Sequence, residues 1–182
     1  MSESDWSVAL DRRWRLPAVA SDDCHYAYDT DVLESWTWLR MPRLSAAEYH
    51  APYVAVWIEN PDQTAVGTLS VWYDVDLRNN EGLTWLADMR TWWRKSGRAL
   101  TLPADGVSGA TRAPGRHSLS FRADNPTLRN LPAGQYNIVV EAARELGGRE
   151  LVRVPFQWGG AANTASGQGS SELGAISVAV TR

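Results

Sequence analysis

A single cysteine, Cys24, stands among the 182 residues, so no internal disulfide can form and cysteine usage leaves the redox compartment open. Histidine is nearly as scarce. His25, His50 and His117 lie far apart with no Glu partner motif, and no Cys/His cluster has zinc spacing, which argues against a metal centre. No window reaches the roughly 18 apolar residues of a membrane-spanning helix, so no membrane insertion is expected. Positive charge is short as well: a net charge of −3 offers no basic face for nucleic acid. The opening stretch "MSESDWSVALDRRWRLP" has no apolar run of the kind a secretory signal needs. Either the chain works in the cytosol or an export signal has been removed.

What the chain does have is tryptophan, ten in all, within a composition of 44% hydrophobic and 21% charged residues that is ordinary for a globular domain. Residues 1–22 mix charge, Trp and Pro without a period and read as an irregular arm. The remainder, 23–182, reads as one domain. Short alternating runs begin at "CHYAYDTDVLESWTWLRMP", and the clearest is "PYVAVWIEN". Val54, Val56 and Ile58 fall on one face of that strand; Tyr53, Ala55 and Trp57 fall on the other. With both faces apolar, it should be a central strand covered on both sides. "PDQT" turns the chain into "AVGTLSVWYDV", a hairpin partner.

The spacing of Trp85, Leu86, Met89, Trp92 and Trp93 predicts one helix over about 84–96, with Thr84 as its cap and Gly97 as its stop. "RHSLSFRAD" alternates again. "GQYNIVVEAARELGGRELVRVPFQW" reads as a hairpin in which Gly147 and Gly148 supply the positive φ of a tight turn. The small polar stretch 159–171 reads as a mobile loop, and "ELGAISVAVTR" as a closing strand. About seven short strands with regular turn signals predict an all-β, immunoglobulin-like two-layer sandwich with one inserted helix covering a face.

Between the helix and the next strand lies a Gly-rich loop, 103–115, containing "DGVSGATRAPG". Ser108, Gly109 and Ala110 put nothing bulky before Thr111, so another molecule's active site can close over that hydroxyl. Asp105 adds a carboxylate able to fold onto loop N–H groups or meet a metal ion in a visiting enzyme. The same composition also suits an ordinary connection between elements. A phosphate-cradling loop does not fit, because that pattern opens a helix and this one follows it. Ser108 lacks the GxSxG context of a hydrolase nucleophile. Asp29, Asp31, Asp74 and Asp76 lack the glycine and bidentate Glu of a calcium loop.

"DGVSGAT" resembles the acceptor motif of proteins flavinylated by FAD:protein FMN transferases of the ApbE type. The resemblance implies FMN joined through its phosphate to Thr111, with Asp105, Ser108, Gly109 and Ala110 as recognition residues. Together "APYVAVWIEN", "WLADMRTWWR", "DGVSGATRAPG" and the long hairpin are similar to the family called domain of unknown function 2271, from about Tyr49 to Trp158. Leu146 stands where that likeness leads one to expect a histidine, and "FRADNPT" replaces an expected Trp-Asp-Gly turn. The resemblance implies a periplasmic electron carrier rather than a self-contained enzyme, with no catalytic residue of its own. Its partners would be the flavin transferase and a membrane or periplasmic redox protein. Trp92 and Trp93 are candidates to face the flavin ring, with Trp85 one face further back, while Arg112 and Arg116 are candidates to balance the phosphate or a reduced flavin. The rival expectation is a flavin-free accessory module that binds a protein or a carbohydrate.

Overall fold

The computed structural model describes residues 34–43, 50–145 and 147–181. The expected arm at 1–22, the start of the first strand run, and the positions of Cys24, His25, Asp29, Asp31 and Leu146 lie outside them. Among the described residues nine strands form two sheets: β1 (Glu34–Met41), β2 (Tyr53–Glu59), β3 (Ala65–Tyr73), β4 (Ser108–Ala110), β5 (Gly115–Arg122), β6 (Gly134–Ala143), β7 (Arg149–Trp158), β8 (Asn163–Gln168) and β9 (Ala175–Thr181). One sheet runs β5-β1-β9-β8 and the other β4-β3-β2-β6-β7. The fold is therefore an all-β sandwich, as expected.

Strand β2 behaves as its pattern requires. Val54, Val56 and Ile58 pack between the sheets with Leu39, Ile138, Val140, Ile176 and Val178. Ala55 and Trp57 face the other way, where Val139, Leu86, Met89 and Trp92 close a second apolar layer. The five-stranded sheet is thus covered on both faces, by its partner sheet and by the segment between β3 and β4. Such double burial removes most of the water-exposed apolar surface that an isolated sheet would retain.

That covering segment is not the continuous helix expected over 84–96. It is a 3-10 run, Arg78–Asp88, kinked by left-handed backbone at Asn79 (φ 55°) and Asn80 (φ 57°), followed by a six-residue helix, α1 (Arg90–Lys95), with a break at Met89 (φ −76°, ψ 69°). The cause is Glu141 of β6, fully buried under the segment. Its carboxylate accepts the Thr91 N–H at 3.1 Å and the Trp92 N–H at 2.7 Å. In an unbroken helix those donors would reach back four residues, to carbonyls before the break. A carboxylate some fifty positions away therefore caps α1, and neither Thr84 nor Met89 provides a local side-chain cap. Gly97 follows α1 for a steric reason: a Cβ there would stand 2.7 Å from the Trp92 ring and 2.8 Å from that of Trp93.

Two further expectations are corrected. The stretch 159–171 contains β8, a full edge strand paired with β9 from Asn163↔Val180 to Gln168↔Ala175. Small polar side chains suit it because every second one faces solvent. The loop beyond it is held by the Glu150 carboxylate, which accepts the N–H groups of Ser170 (2.6 Å), Ser171 (3.0 Å) and Leu173 (2.8 Å). The β6–β7 hairpin forms as expected, but Gly148 is not among the described glycines with positive φ, which are Gly106, Gly115 and Gly159. Close approach explains it instead. Its N–H donates to Glu172 Oε1 at 2.9 Å, and a Cβ would lie 2.8 Å from that oxygen.

Burial raises the Glu150 pKa, yet the backbone donors of Leu173, Ser170 and Ser171 outweigh it and bring the carboxyl down to about 2. A folded pKa below the unfolded one stabilises the protein above the unfolded value, about 4.3, and that stability is lost as pH falls toward about 2. Partial exposure reduces the contribution to about 1–2 kcal/mol. Glu150→Gln is expected to lower stability at neutral pH by that amount and to flatten the fall in melting temperature between about pH 5 and pH 2. Parallel acid profiles for variant and parent would rule the assignment out.

Candidate functional site

The direction of the strands decides where Thr111 goes. β4 lies parallel to β3, with Val71↔Ser108, Trp72↔Gly109 and Tyr73↔Ala110. Within the expected loop, then, three residues are ladder rather than coil. Thr111 is the next residue, and its N–H donates to the Tyr73 carbonyl at 3.2 Å. β2 runs antiparallel to β3 and β6 antiparallel to β2, and Tyr53 pairs with Ala143. The end of β3, the start of β2 and the end of β6 consequently meet at the same edge of the sheet as Thr111.

A cleft of about 130 Å³ occupies that edge. Thr111, Tyr53, Asp74, Ala143 and Glu145 line it from the sheet side, and Leu77, Trp85 and Asp88 line it from the covering segment. Thr111 is half-buried, and its hydroxyl makes no hydrogen bond within the described residues. Trp85 is 47% exposed, in contrast to Trp57, Trp72 and Trp92, which are buried. His50 stands at the rim with Nδ1 3.7 Å from Glu145 Oε2. Burial, joined by the charges of Asp74 and Glu145, pushes the Tyr53 phenol up against an opposing backbone hydrogen bond from Asp74. The cleft therefore carries three carboxylates, Asp74, Asp88 and Glu145, with Leu77 and Trp85 as apolar surface on the side of the covering segment. Among the described residues no group of three or more His, Cys, Asp or Glu side chains is arranged to hold a metal ion.

The "DGVSGAT" residues have separable local roles. Ser108 closes the preceding turn: its N–H donates to the Ala104 carbonyl at 2.9 Å, and its Oγ accepts the Ala104 N–H at 3.0 Å. Gly106 sits at φ +71° with open space around it, so the left-handed backbone accounts for the glycine. A Cβ on Gly109 would make only ordinary contact, 3.6 Å from Trp72. Asp105 and Ala110 are exposed. The motif is thus a built turn leading into a short edge strand that presents Thr111 at its end.

The remaining sequence candidates are not gathered there. Successive side chains of an extended segment point to opposite sides, and Arg112 lines a different groove, its guanidinium 4.1 Å over the Trp72 ring. Desolvation lowers its pKa. Arg116 is on β5 and lines a third depression with β8 and β9. Trp92 has no exposed face and donates its indole N–H to Thr68 Oγ1 at 3.0 Å. Trp93 packs at 6.1 Å from the Trp92 ring. Both tryptophans serve packing, as their helical spacing already allowed. Trp85 is the ring that shares the cleft with Thr111. Sequence reading missed Tyr53 and Glu145 as cleft residues, because only strand pairing brings them together.

These features define an all-β sandwich with an acid-walled cleft at one sheet edge and an unengaged threonine hydroxyl on its wall. The chain belongs to the family described as "Predicted periplasmic protein (DUF2271)", which matches residues 37–175. That description assigns it to the periplasm. No curated protein and no solved structure matches the chain. No helix among the described residues is long and apolar enough to cross a membrane.

Proposed function

We propose that this protein is a periplasmic electron carrier to which an FAD:protein FMN transferase attaches FMN by a phosphoester on Thr111. The observation that carries the reading is the Thr111 hydroxyl, unengaged on the wall of a cleft and placed there by the "DGVSGAT" turn and strand. In the attachment step the Thr111 oxygen forms a bond to the flavin-side phosphorus of FAD, the bond from that phosphorus to AMP breaks, and the hydroxyl proton is released. When bound, the flavin supplies the redox chemistry.

This chain's residues position and tune. The strand β4 holds the backbone at Thr111, so the tether starts from a rigid element. A covalent link keeps its ligand at an effective concentration on the order of millimolar even where non-covalent grip is weak, which suits a cleft this small. Asp74, Asp88 and Glu145 disfavour added negative charge in the cleft and so hold the potential of a flavin there low. Leu77 and Trp85 offer it an apolar wall.

The test is coexpression with an ApbE-type transferase, magnesium and FAD, followed by intact mass. The expected product is yellow and heavier by FMN less water, and Thr111→Val abolishes the increase completely. An unchanged mass in the parent protein, or an equal increase in Thr111→Val, overturns the proposal and favours a flavin-free accessory module.

A further inference from the structure

Trp85 is 47% exposed, more than any other large hydrophobic residue among those described, whereas Trp57, Trp72 and Trp92 are buried. Leaving much of an indole in water forgoes burial worth about 25 cal/mol per Å². The segment that carries it is nonetheless well anchored: Leu86, the next residue, and Met89 are fully packed against the sheet. Exposure of Trp85 is therefore set by its position on the 3-10 run, and not by a loose segment. Leu77, just before that run, is 37% exposed and lines the same cleft. The two make a small apolar wall facing the cleft that Thr111 also lines.

Resting on the Thr111 reading above, we infer that Trp85 is the platform on which the planar, tricyclic ring of a flavin tethered at Thr111 stacks. A flat aromatic ligand gains both apolar burial and offset π contact from such a surface. The electron-rich indole also supplies a measurable mark, because a stacked indole quenches flavin emission by electron transfer. Trp92 is buried, and neither it nor the partly buried Trp93 lines the cleft. Tyr53 belongs to the opposing sheet wall.

The test uses protein loaded by the transferase, with equal loading of parent, Trp85→Leu and Trp85→Phe established by intact mass. Flavin emission and the visible circular dichroism of the flavin are then compared. Trp85→Leu is expected to raise emission several-fold and to collapse the dichroism toward that of free FMN. Trp85→Phe is expected to raise emission while retaining most of the dichroism, because the flat face survives. Equal mass increase with unchanged emission and dichroism in Trp85→Leu overturns the platform while leaving the tether intact. Absence of any mass increase in the parent overturns the tether, and the platform with it.

Discussion

Glu141→Ala is expected to cost about 2–5 kcal/mol of folding stability, chiefly because it strips two backbone N–H groups of their buried acceptor. The side chain is fully buried and has three obligations: the N–H groups of Thr91 and Trp92 and the guanidinium of Arg149, whose Nη1 lies 2.5 Å from Oε1. Alanine leaves two backbone donors facing a space that water reaches poorly, while Arg149, 40% exposed, turns to solvent. Each orphaned donor costs about 1–3 kcal/mol, more where charge is involved. Since whole domains are stable by only about 5–15 kcal/mol, a large share of the total is at stake. The break at Met89 also depends on this carboxylate, so α1 and the run before it should lose their fixed position. Urea denaturation should show a midpoint lowered in proportion, with the slope unchanged. A loss under about 0.5 kcal/mol, typical of surface changes, would refute the capping role. Glu141→Gln keeps one acceptor and should fall between parent and alanine.

Gly82→Ala is expected to detach the cleft's outer wall while sparing the sandwich. A Cβ on Gly82 would stand 2.0 Å from the Asp74 carbonyl oxygen and 2.9 Å from its carbon. Both atoms are backbone, so no side chain can swing aside. Either the 3-10 run lifts or the end of β3 yields, at about 1–3 kcal/mol for a forced overpacking. The displaced residues are those that line the cleft: Asp74, Leu77, Trp85 and Asp88. Hydrogen exchange should accelerate across 74–88 and remain slow in β2 and β6, whose pairing does not pass through Gly82. Unchanged exchange in 74–88 would show that the contact is relieved without movement. In flavin-loaded protein the same substitution should raise emission as Trp85→Leu does, because it moves the platform without altering it.

Much of the sandwich is legible in the order of residues alone. Period-two alternation in "PYVAVWIEN" names both faces of β2 correctly, because a strand buried on two sides must be apolar on both. Failures fall where local pattern and long-range contact disagree. Trp85 to Trp93 carry helical spacing, yet Glu141 withdraws the N–H groups that a continuous helix requires. The stretch 159–171 has loop composition, yet an edge strand with one solvated face tolerates alanine, serine and glycine once β9 supplies its hydrogen bonds. Around Thr111 the motif itself is legible, while its surroundings are not. Trp92 and Trp93 lie closer to the loop in sequence than Trp85 does, but pairing of β4 with β3 carries Thr111 to the sheet edge where Trp85 stands.

By itself the sequence determined the alternation that makes strands, the apolar faces that must be hidden, and the small residues that free the Thr111 backbone, all of them properties of neighbours along the chain. Tertiary structure alone decided that Trp85 stays in water, which carboxylate caps α1, and which residues share a cleft with Thr111. Those outcomes depend on strand direction and register, and register arises from hydrogen bonds between segments that no local run of residues encodes.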